Sequence, residues 1–176
     1  SADLKAVSIK DRFGRLPETK CPIVFAMVGL PQVGKSTIAK AFADTIGAVI
    51  VEDNALRNYL QKKNFVDFPY ISEVNLLMLD IALSYGKNVV FDSNFSDSLK
   101  REMLESVAKK LGAKVCYIHV VCDKEILMRR FYNPSHRWSE LYHNMVSDKV
   151  YSLRKCINPK LAYRNLLIDT VIKDYE

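Results

Sequence analysis

The run GLPQVGKS at residues 29–36 constrains this chain more than any other segment. It fits the phosphate-binding loop pattern, in which a glycine and four further residues precede Gly-Lys-Ser or Gly-Lys-Thr. Glycines at both ends let backbone N–H groups turn toward an anion without a Cβ clash. Lys35 can bring a mobile charge to a bound phosphate, and the Ser36 hydroxyl can ligate Mg²⁺. The predicted phosphate-binding set comprises Gly29, Leu30, Pro31, Gln32, Val33, Gly34, Lys35, Ser36 and Thr37.

The segments on both sides of the loop support this interpretation. Residues 21–28 form an apolar run of the kind that a buried parallel strand needs. After the loop, apolar side chains recur at helical spacing up to a stop at Gly47; they are Ile38, Ala39, Phe42, Ala43 and Ile46. A strand, a glycine loop and a helix in this order favour a phosphate site over a chance turn.

The alternation of segments after residue 21 predicts an α/β fold. Strands are predicted at 22–28, 48–51, 88–91, 115–121 and 165–168, and helices at 54–63, 72–85, 96–111, 123–132 and 139–155. Repeated β-α alternation with nearly continuous apolar strands is typical of a five-stranded parallel sheet with helices on both faces. We therefore expect the three-layer sandwich of P-loop proteins.

Composition bounds the domain organisation. The 176 residues suffice for one domain with a full core, and 49% hydrophobic and 26% charged residues are ordinary for a globular protein. We expect a single domain over residues 21–176, preceded by an N-terminal extension over residues 1–20. That extension is predicted to pack on the core through Leu4, Val7 or Phe13. The oligomeric state stays open.

The sequence gives no sign of a membrane partner or of secretion. No apolar run approaches the roughly 20 residues that cross a bilayer, and the first residues do not form an apolar signal core. The cysteines lack a CxxC pair, and Cys21 and Cys116 fall in or beside predicted strands; the full set is Cys21, Cys116, Cys122 and Cys156. We therefore expect the cysteines to be reduced thiols in the core of a cytoplasmic protein.

The net charge of +6 fits a protein that handles anions such as ATP or nucleic acid. Solvated lysines near helix C-termini, such as Lys62-Lys63 and Lys109-Lys110, would produce the same excess. Charge therefore discriminates weakly among the possible partners.

Carboxylates follow two of the predicted strands. Asp53 comes after the second strand and Asp92 after the third. Ligands of such sheets bind at the C-terminal strand ends, and a phosphate loop with Mg²⁺ needs a carboxylate near the metal. A kinase needs a second carboxylate to accept the proton of the acceptor hydroxyl. We predict that Asp92 serves Mg²⁺ together with Ser36 and that Asp53 serves the acceptor, although either residue could instead be a helix cap or turn Asp.

Two features that are absent from the sequence narrow the range of reactions that the protein could catalyse. Asp92 is followed by Ser93, whereas motor ATPases place a glutamate there to activate water. The chain also lacks the Asn-Lys-x-Asp motif that reads guanine. With these two classes disfavoured, the expected reaction is transfer of the γ-phosphoryl group of ATP to a hydroxyl.

Arginines supply the remaining candidates. Arg57 lies one helical turn after Asp53 and could bind an anion on the acceptor or simply pair with Asp53. A predicted lid at about 129–145 carries three more arginines, which could neutralise charge in the transition state. They are Arg129 and Arg137, predicted as catalytic, and Arg130, predicted to bind ATP. Asn94 and Arg154 complete the predicted acceptor-binding set.

These motifs resemble the small P-loop kinases that include polynucleotide 5′-hydroxyl kinases, zeta toxins and chloramphenicol phosphotransferase. The resemblance covers roughly residues 22–170 and rests on the runs GLPQVGKST, EDNALR and VVFDSNF and on the lid arginines. It implies that Asp53 is the general base, that Arg57 binds the acceptor, and that Arg129 and Arg137 lie near ATP. The group usually shows Asp-x-x-Arg, whereas four steps separate Asp53 from Arg57, so Asn54 could occupy the base position instead.

A second resemblance, to the kinase domain of 6-phosphofructo-2-kinases, lies in VGLP with Gly34-Lys35 and in FDSN. It keeps a sugar or sugar phosphate open as the acceptor, beside a nucleic acid, a nucleotide or another small metabolite. The expected function is thus a kinase that uses ATP and Mg²⁺. The alternative is a switch or scaffold that binds ATP without phosphoryl transfer, which Asn54 at the base position would favour.

Overall fold

The computed structural model describes residues 14–63, 70–95, 97–131 and 165–169. Its five strands form one parallel sheet in the order β2-β3-β1-β4-β5. The strands are β1 (Ile23–Val28), β2 (Val49–Glu52), β3 (Val89–Asp92), β4 (Lys114–Val121) and β5 (Asn165–Asp169). The predicted α/β sandwich with a five-stranded parallel sheet is confirmed.

Five helices of the described chain connect these strands. They are α1 (Lys35–Ile46), α2 (Asp53–Lys62), α3 (Ile71–Ser84), α4 (Ser98–Lys110) and α5 (Lys124–Phe131). No described helix is long and apolar enough to cross a bilayer. Because β1 and β3 are adjacent, the loop after β1 and the segment after β3 lie side by side at the C-terminal edge of the sheet.

The sheet is buried on both faces, as its apolar strands predict. On one face, α3 packs on β2 and β3 and α4 packs on β4, and their residues Leu79 and Leu104 join the cluster containing Val24. On the other face, α1 and α5 pack through Ala39 and Leu127, in the cluster containing Met27. Alternating residues of β1 thus face opposite cores, which gives the three layers.

Several local expectations need correction. Ser72 is not the N-cap of α3, because the helix already begins at Ile71, whose buried side chain brings the first turn onto the core. Asp53, predicted to lie before its helix, is the first residue of α2. Cys21 is exposed rather than a core thiol, whereas Cys116 is half-buried and Cys122 is buried. Cys156 lies outside the described residues.

The end of the predicted N-terminal extension contacts the core next to α3. The amide of Thr19 donates to the carbonyl of Gly86 at 2.8 Å. The fully buried Lys87 ammonium donates to the carbonyl of Leu16 at 2.7 Å and pairs with Glu18 at 3.1 Å. Leu16 packs against the core. The residues predicted to make this contact, Leu4, Val7 and Phe13, lie outside the described residues.

Candidate active site

The phosphate loop connects β1 to α1 and takes a backbone shape that glycine makes possible. Gly29 has φ of +150° and Gly34 has φ of +98°, and a Cβ at Gly29 would lie 2.5 Å from the carbonyl oxygen of Val120. Gln32 also has a positive φ, of 64°. The first glycine is therefore required both for its torsion and for the close approach of β4.

The N-terminus of α1 opens toward the loop. Gly34 is the N-cap, it has no side chain to cap the helix, and no acidic residue occupies the first turn. The N–H groups of such a first turn, together with the helix dipole, form a binding site for a phosphate. Ser36 and Thr37 lie in this turn, as the motif predicts.

The Lys35 side chain folds back over the loop. Its ammonium donates to the carbonyl of Gly29 at 2.8 Å and to that of Leu30 at 2.7 Å. Burial lowers the pKa of Lys35 from 10.5 to about 8, and the nearby Asp92 carboxylate opposes the decrease. A bound phosphate would offer this ammonium a charged partner in place of two neutral carbonyls.

Asp92 ends β3 and is buried beside the loop. Burial raises the pKa of its carboxyl, while a hydrogen bond from the Ser36 hydroxyl and the charge of Lys35 act in the opposite direction. Glu52 is its register partner on β2, and the negative charges of Glu52 and Asp53 raise the pKa further. Three carboxylates therefore converge at this edge of the sheet.

The oxygen atoms of Ser36 and Asp92 fit a Mg²⁺ site. They are hydrogen-bonded to each other next to the loop, and both are hard oxygen ligands. Mg²⁺ is commonly held by one or two carboxylates together with substrate phosphates and water. Within the described residues, no group of three or more His, Cys, Asp or Glu could hold a metal ion.

Asp53 lies at the end of the neighbouring strand and is held by three other segments. Its Oδ1 accepts a hydrogen bond from the Asn75 side-chain amide at 2.7 Å. Its Oδ2 accepts one from the Ser93 hydroxyl at 2.5 Å and lies 3.6 Å from the Lys100 ammonium. Asn54, in contrast, is exposed. Asp53, and not Asn54, is thus the side chain that faces the cluster of Asn75, Ser93 and Lys100.

The predicted acceptor-binding residues are less closely assembled. Arg57 is exposed on α2, one turn beyond Asp53, and Asn94 is exposed after β3. Arg154 lies outside the described residues. Asn94 is the predicted acceptor-binding residue of this segment, whereas its neighbour Ser93 is the residue that donates a hydrogen bond to Asp53.

The three residues that contact Asp53 are not among those predicted from the sequence. Asn75 interrupts the apolar run VNLLML of α3, and a buried polar residue in such a run is a signal that could have been noticed. Ser93 directly follows Asp92, and its position at a strand end was a weaker signal. Nothing local distinguishes Lys100 from the other lysines of α4.

Of the predicted lid, the structure describes residues 129–131. Arg130 reaches the phosphate loop, where its guanidinium donates to the carbonyls of Val33 at 3.3 Å and Gln32 at 3.4 Å. Arg129 is exposed on the same helix. Arg137 and the remainder of the lid lie outside the described residues.

A glycine loop between the first strand and helix, with a buried aspartate ending the adjacent strand, defines a P-loop domain. The chain belongs to the AAA domain family, whose model matches residues 24–137. The comparison with curated protein sequences gives no significant match.

Solved structures show the same fold. A provisionally assigned kinase from Chloroflexus aurantiacus is similar with a TM-score of 0.64 at 15% identity, over 88% of both chains. A gluconokinase from Sinorhizobium meliloti has a TM-score of 0.54 at 17% identity, over 88% of this chain and 85% of its own. The Mycobacterium tuberculosis APS kinase CysC, in complex with AMPPNP and APS, has a TM-score of 0.50 at 18% identity, over 72% and 77%. The chain thus has the fold of the small P-loop kinases.

Proposed function

We propose that this protein is an ATP-dependent kinase that transfers the γ-phosphoryl group to a hydroxyl of a nucleic acid, a nucleotide or a small metabolite. The observation that carries the proposal is the position of Asp53 beside Asp92, which itself contacts Ser36 of the phosphate loop. One carboxylate is then available for the metal and a second for the acceptor, as phosphoryl transfer to a hydroxyl requires.

The nucleotide binds on the loop side of the site. The loop amides and the first turn of α1 hold the β- and γ-phosphates, and Lys35 moves from the loop carbonyls to the outer phosphates. Ser36 and Asp92 would hold Mg²⁺, which would supply charge neutralisation at the phosphate oxygens. Arg130, already on the loop, contacts ATP.

The acceptor approaches from the Asp53 side. Its hydroxyl oxygen forms a bond to the γ-phosphorus while the bond from that phosphorus to the bridging β-γ oxygen breaks, which releases ADP. The hydroxyl proton passes to the Asp53 carboxylate, which returns it to solvent after product release. Arg129 or Arg137 from the lid neutralises charge that builds during transfer.

Two features support a transferase over the other readings of a P-loop. Ser93 stands where a motor ATPase has its water-activating glutamate, and here it binds Asp53. Asn54 at the base position would favour a nucleotide-binding switch, but Asn54 is exposed and Asp53 faces the cluster.

The acceptor could belong to any of several chemical classes. A gluconokinase and an APS kinase share this fold, so the fold itself accommodates acceptors of different chemistry. Arg57 and the net charge of +6 favour an anionic acceptor such as a 5′-hydroxyl nucleic acid or a sugar phosphate.

Transfer of label from γ-³²P-ATP tests the proposal. The acceptor panel is adenosine, a 5′-hydroxyl oligonucleotide, gluconate and fructose 6-phosphate, with release of phosphate to water as background. Wild-type protein should label at least one acceptor, and Lys35→Ala should be about 1,000-fold slower because a charge at the transferring phosphate is lost. Lys109→Ala, which removes an exposed lysine at the far end of α4, is the matched control and should stay active. A wild-type rate equal to background, or an unchanged rate in Lys35→Ala, would contradict the proposal.

A further inference from the structure

Asn75 is an almost fully buried amide on a helix that otherwise buries apolar side chains. It is 1% exposed, and the other buried residues of α3 are Ile71, Leu79, Ala82 and Leu83. Burial of an amide is unfavourable unless the group is hydrogen-bonded. The Asn75 amide donates to Oδ1 of Asp53 at 2.7 Å, so the core of the protein fixes one oxygen of this carboxylate.

The second oxygen of Asp53 is fixed by a chain of donors. The buried Ser93 hydroxyl donates its single proton to Oδ2, and the same hydroxyl oxygen accepts a hydrogen bond from the Lys100 ammonium at 3.1 Å. Along this series of hydrogen bonds, the Lys100 ammonium acts only as a donor, the Ser93 hydroxyl both accepts and donates, and the Asp53 carboxylate acts only as an acceptor. Lys100 also lies 3.6 Å from Oδ2, so it supplies the counter-charge directly.

Lys100 is separate from the cations on the nucleotide side. Lys35 lies by Asp92, and Lys40 pairs with Glu52 at 3.1 Å. Each of the three carboxylates at the strand ends therefore has its own ammonium group nearby, and that of Asp53 comes from α4. A change at Lys100 should leave the phosphate loop intact.

We propose that Asn75, Ser93 and Lys100 are positioning residues that hold the Asp53 carboxylate in one orientation toward the acceptor hydroxyl. This inference rests on the proposed kinase function. In the described part of the chain, Oδ2 faces both Ser93 and Lys100, whereas Oδ1 has Asn75 as its hydrogen-bond donor. Oδ1 is therefore the oxygen that accepts the proton of the acceptor.

A double-mutant cycle between Lys100 and Asp53 tests this assignment with the acceptor panel given above. Lys100→Met should lower kcat about tenfold through misorientation of Asp53, with the KM for ATP unchanged. Lys100→Arg, which restores the charge, should recover most of that loss. In the Asp53→Asn background, Lys100→Met should cause no further loss, because its effect passes through Asp53. Lys109→Met removes an exposed lysine from the far end of α4 and is the matched control.

The outcomes separate this inference from the function on which it rests. Multiplicative losses in the double variant, a Lys100→Met kcat equal to wild type, or a loss confined to the KM for the acceptor would overturn the positioning role alone. Failure of the wild-type protein to transfer phosphate to any acceptor would overturn the kinase function and this inference with it.

Discussion

The site proposed above has a nucleotide side and an acceptor side, and these two sides are built by different means. The nucleotide side is made of consecutive residues, 29–37, whose backbone amides and glycine torsions create the binding surface. The acceptor side is made of side chains from α2, α3, α4 and the segment after β3, which meet at the Asp53 carboxylate. One side depends on backbone shape, and the other depends on side-chain placement.

This difference predicts which kinds of change impair nucleotide binding and which slow phosphoryl transfer. A change that prevents a left-handed torsion or a close backbone approach should impair nucleotide binding. A change of one side chain around Asp53 should leave nucleotide binding alone and slow the transfer step. Asp92 lies where the two sides meet, since it bonds Ser36 and interacts electrostatically with Asp53.

Gly29→Ala should break the nucleotide side most severely. Alanine disfavours a φ of +150°, and its Cβ would lie 2.5 Å from the Val120 carbonyl oxygen, so the loop or β4 must shift. We expect nucleotide affinity to fall about 100-fold, which corresponds to about 2.7 kcal/mol of strain and misplacement. Titration calorimetry with AMPPNP measures the affinity, and urea denaturation measures the stability.

Gly112→Ala is the matched control for Gly29→Ala. Gly112 also has a positive φ, of 67°, but nothing lies within 4 Å of its added Cβ. We expect a stability loss of about 1 kcal/mol from the torsion and no change in AMPPNP affinity. Equal affinity losses in the two variants would show that the close approach to Val120 does not shape the binding loop.

The pH dependence of nucleotide affinity should sharpen the comparison by a smaller factor. With a pKa of about 8, Lys35 loses its proton above pH 8 in the free protein, whereas a bound phosphate favours the ammonium. Binding then takes up a proton, and AMPPNP affinity should fall about tenfold between pH 7 and pH 9. Lys35→Arg keeps its charge over this range and should abolish most of the decrease. An equally steep decrease in Lys35→Arg would assign the titration to another group.

The nucleotide side could be predicted from the sequence because its physical requirements are local. The strand, the glycine loop and the helix stand in one continuous stretch, and Asp92 follows an apolar run. The parallel order of the sheet then brings the ends of β1, β2 and β3 together. The place of Asp53 near Asp92 follows from the same sheet order, whereas the sequence alone does not separate Asp53 from its neighbour Asn54 as the predicted base.

The environment of Asp53 could not be predicted in the same way. Asn75 and Ser93 lie 22 and 40 positions from Asp53 along the chain, and the packing of α3 and the register of β3 bring them there. The choice between Asp53 and Asn54 depends on where α2 begins. Glu52 is extended and Asp53 is already helical, so the next residue points about 100° away around the helix, toward solvent.

The most direct test of the account is the effect of Asp53→Asn on two quantities measured in parallel, the rate of phosphoryl transfer and the affinity for AMPPNP. The exposed neighbour variant Asn54→Ala serves as the control. If Asp53 serves the acceptor, transfer should fall about 100-fold or more in Asp53→Asn, with AMPPNP affinity unchanged and Asn54→Ala like wild type. Full transfer activity in Asp53→Asn, or an equal loss in Asn54→Ala, would contradict the division of the site into a nucleotide side and an acceptor side.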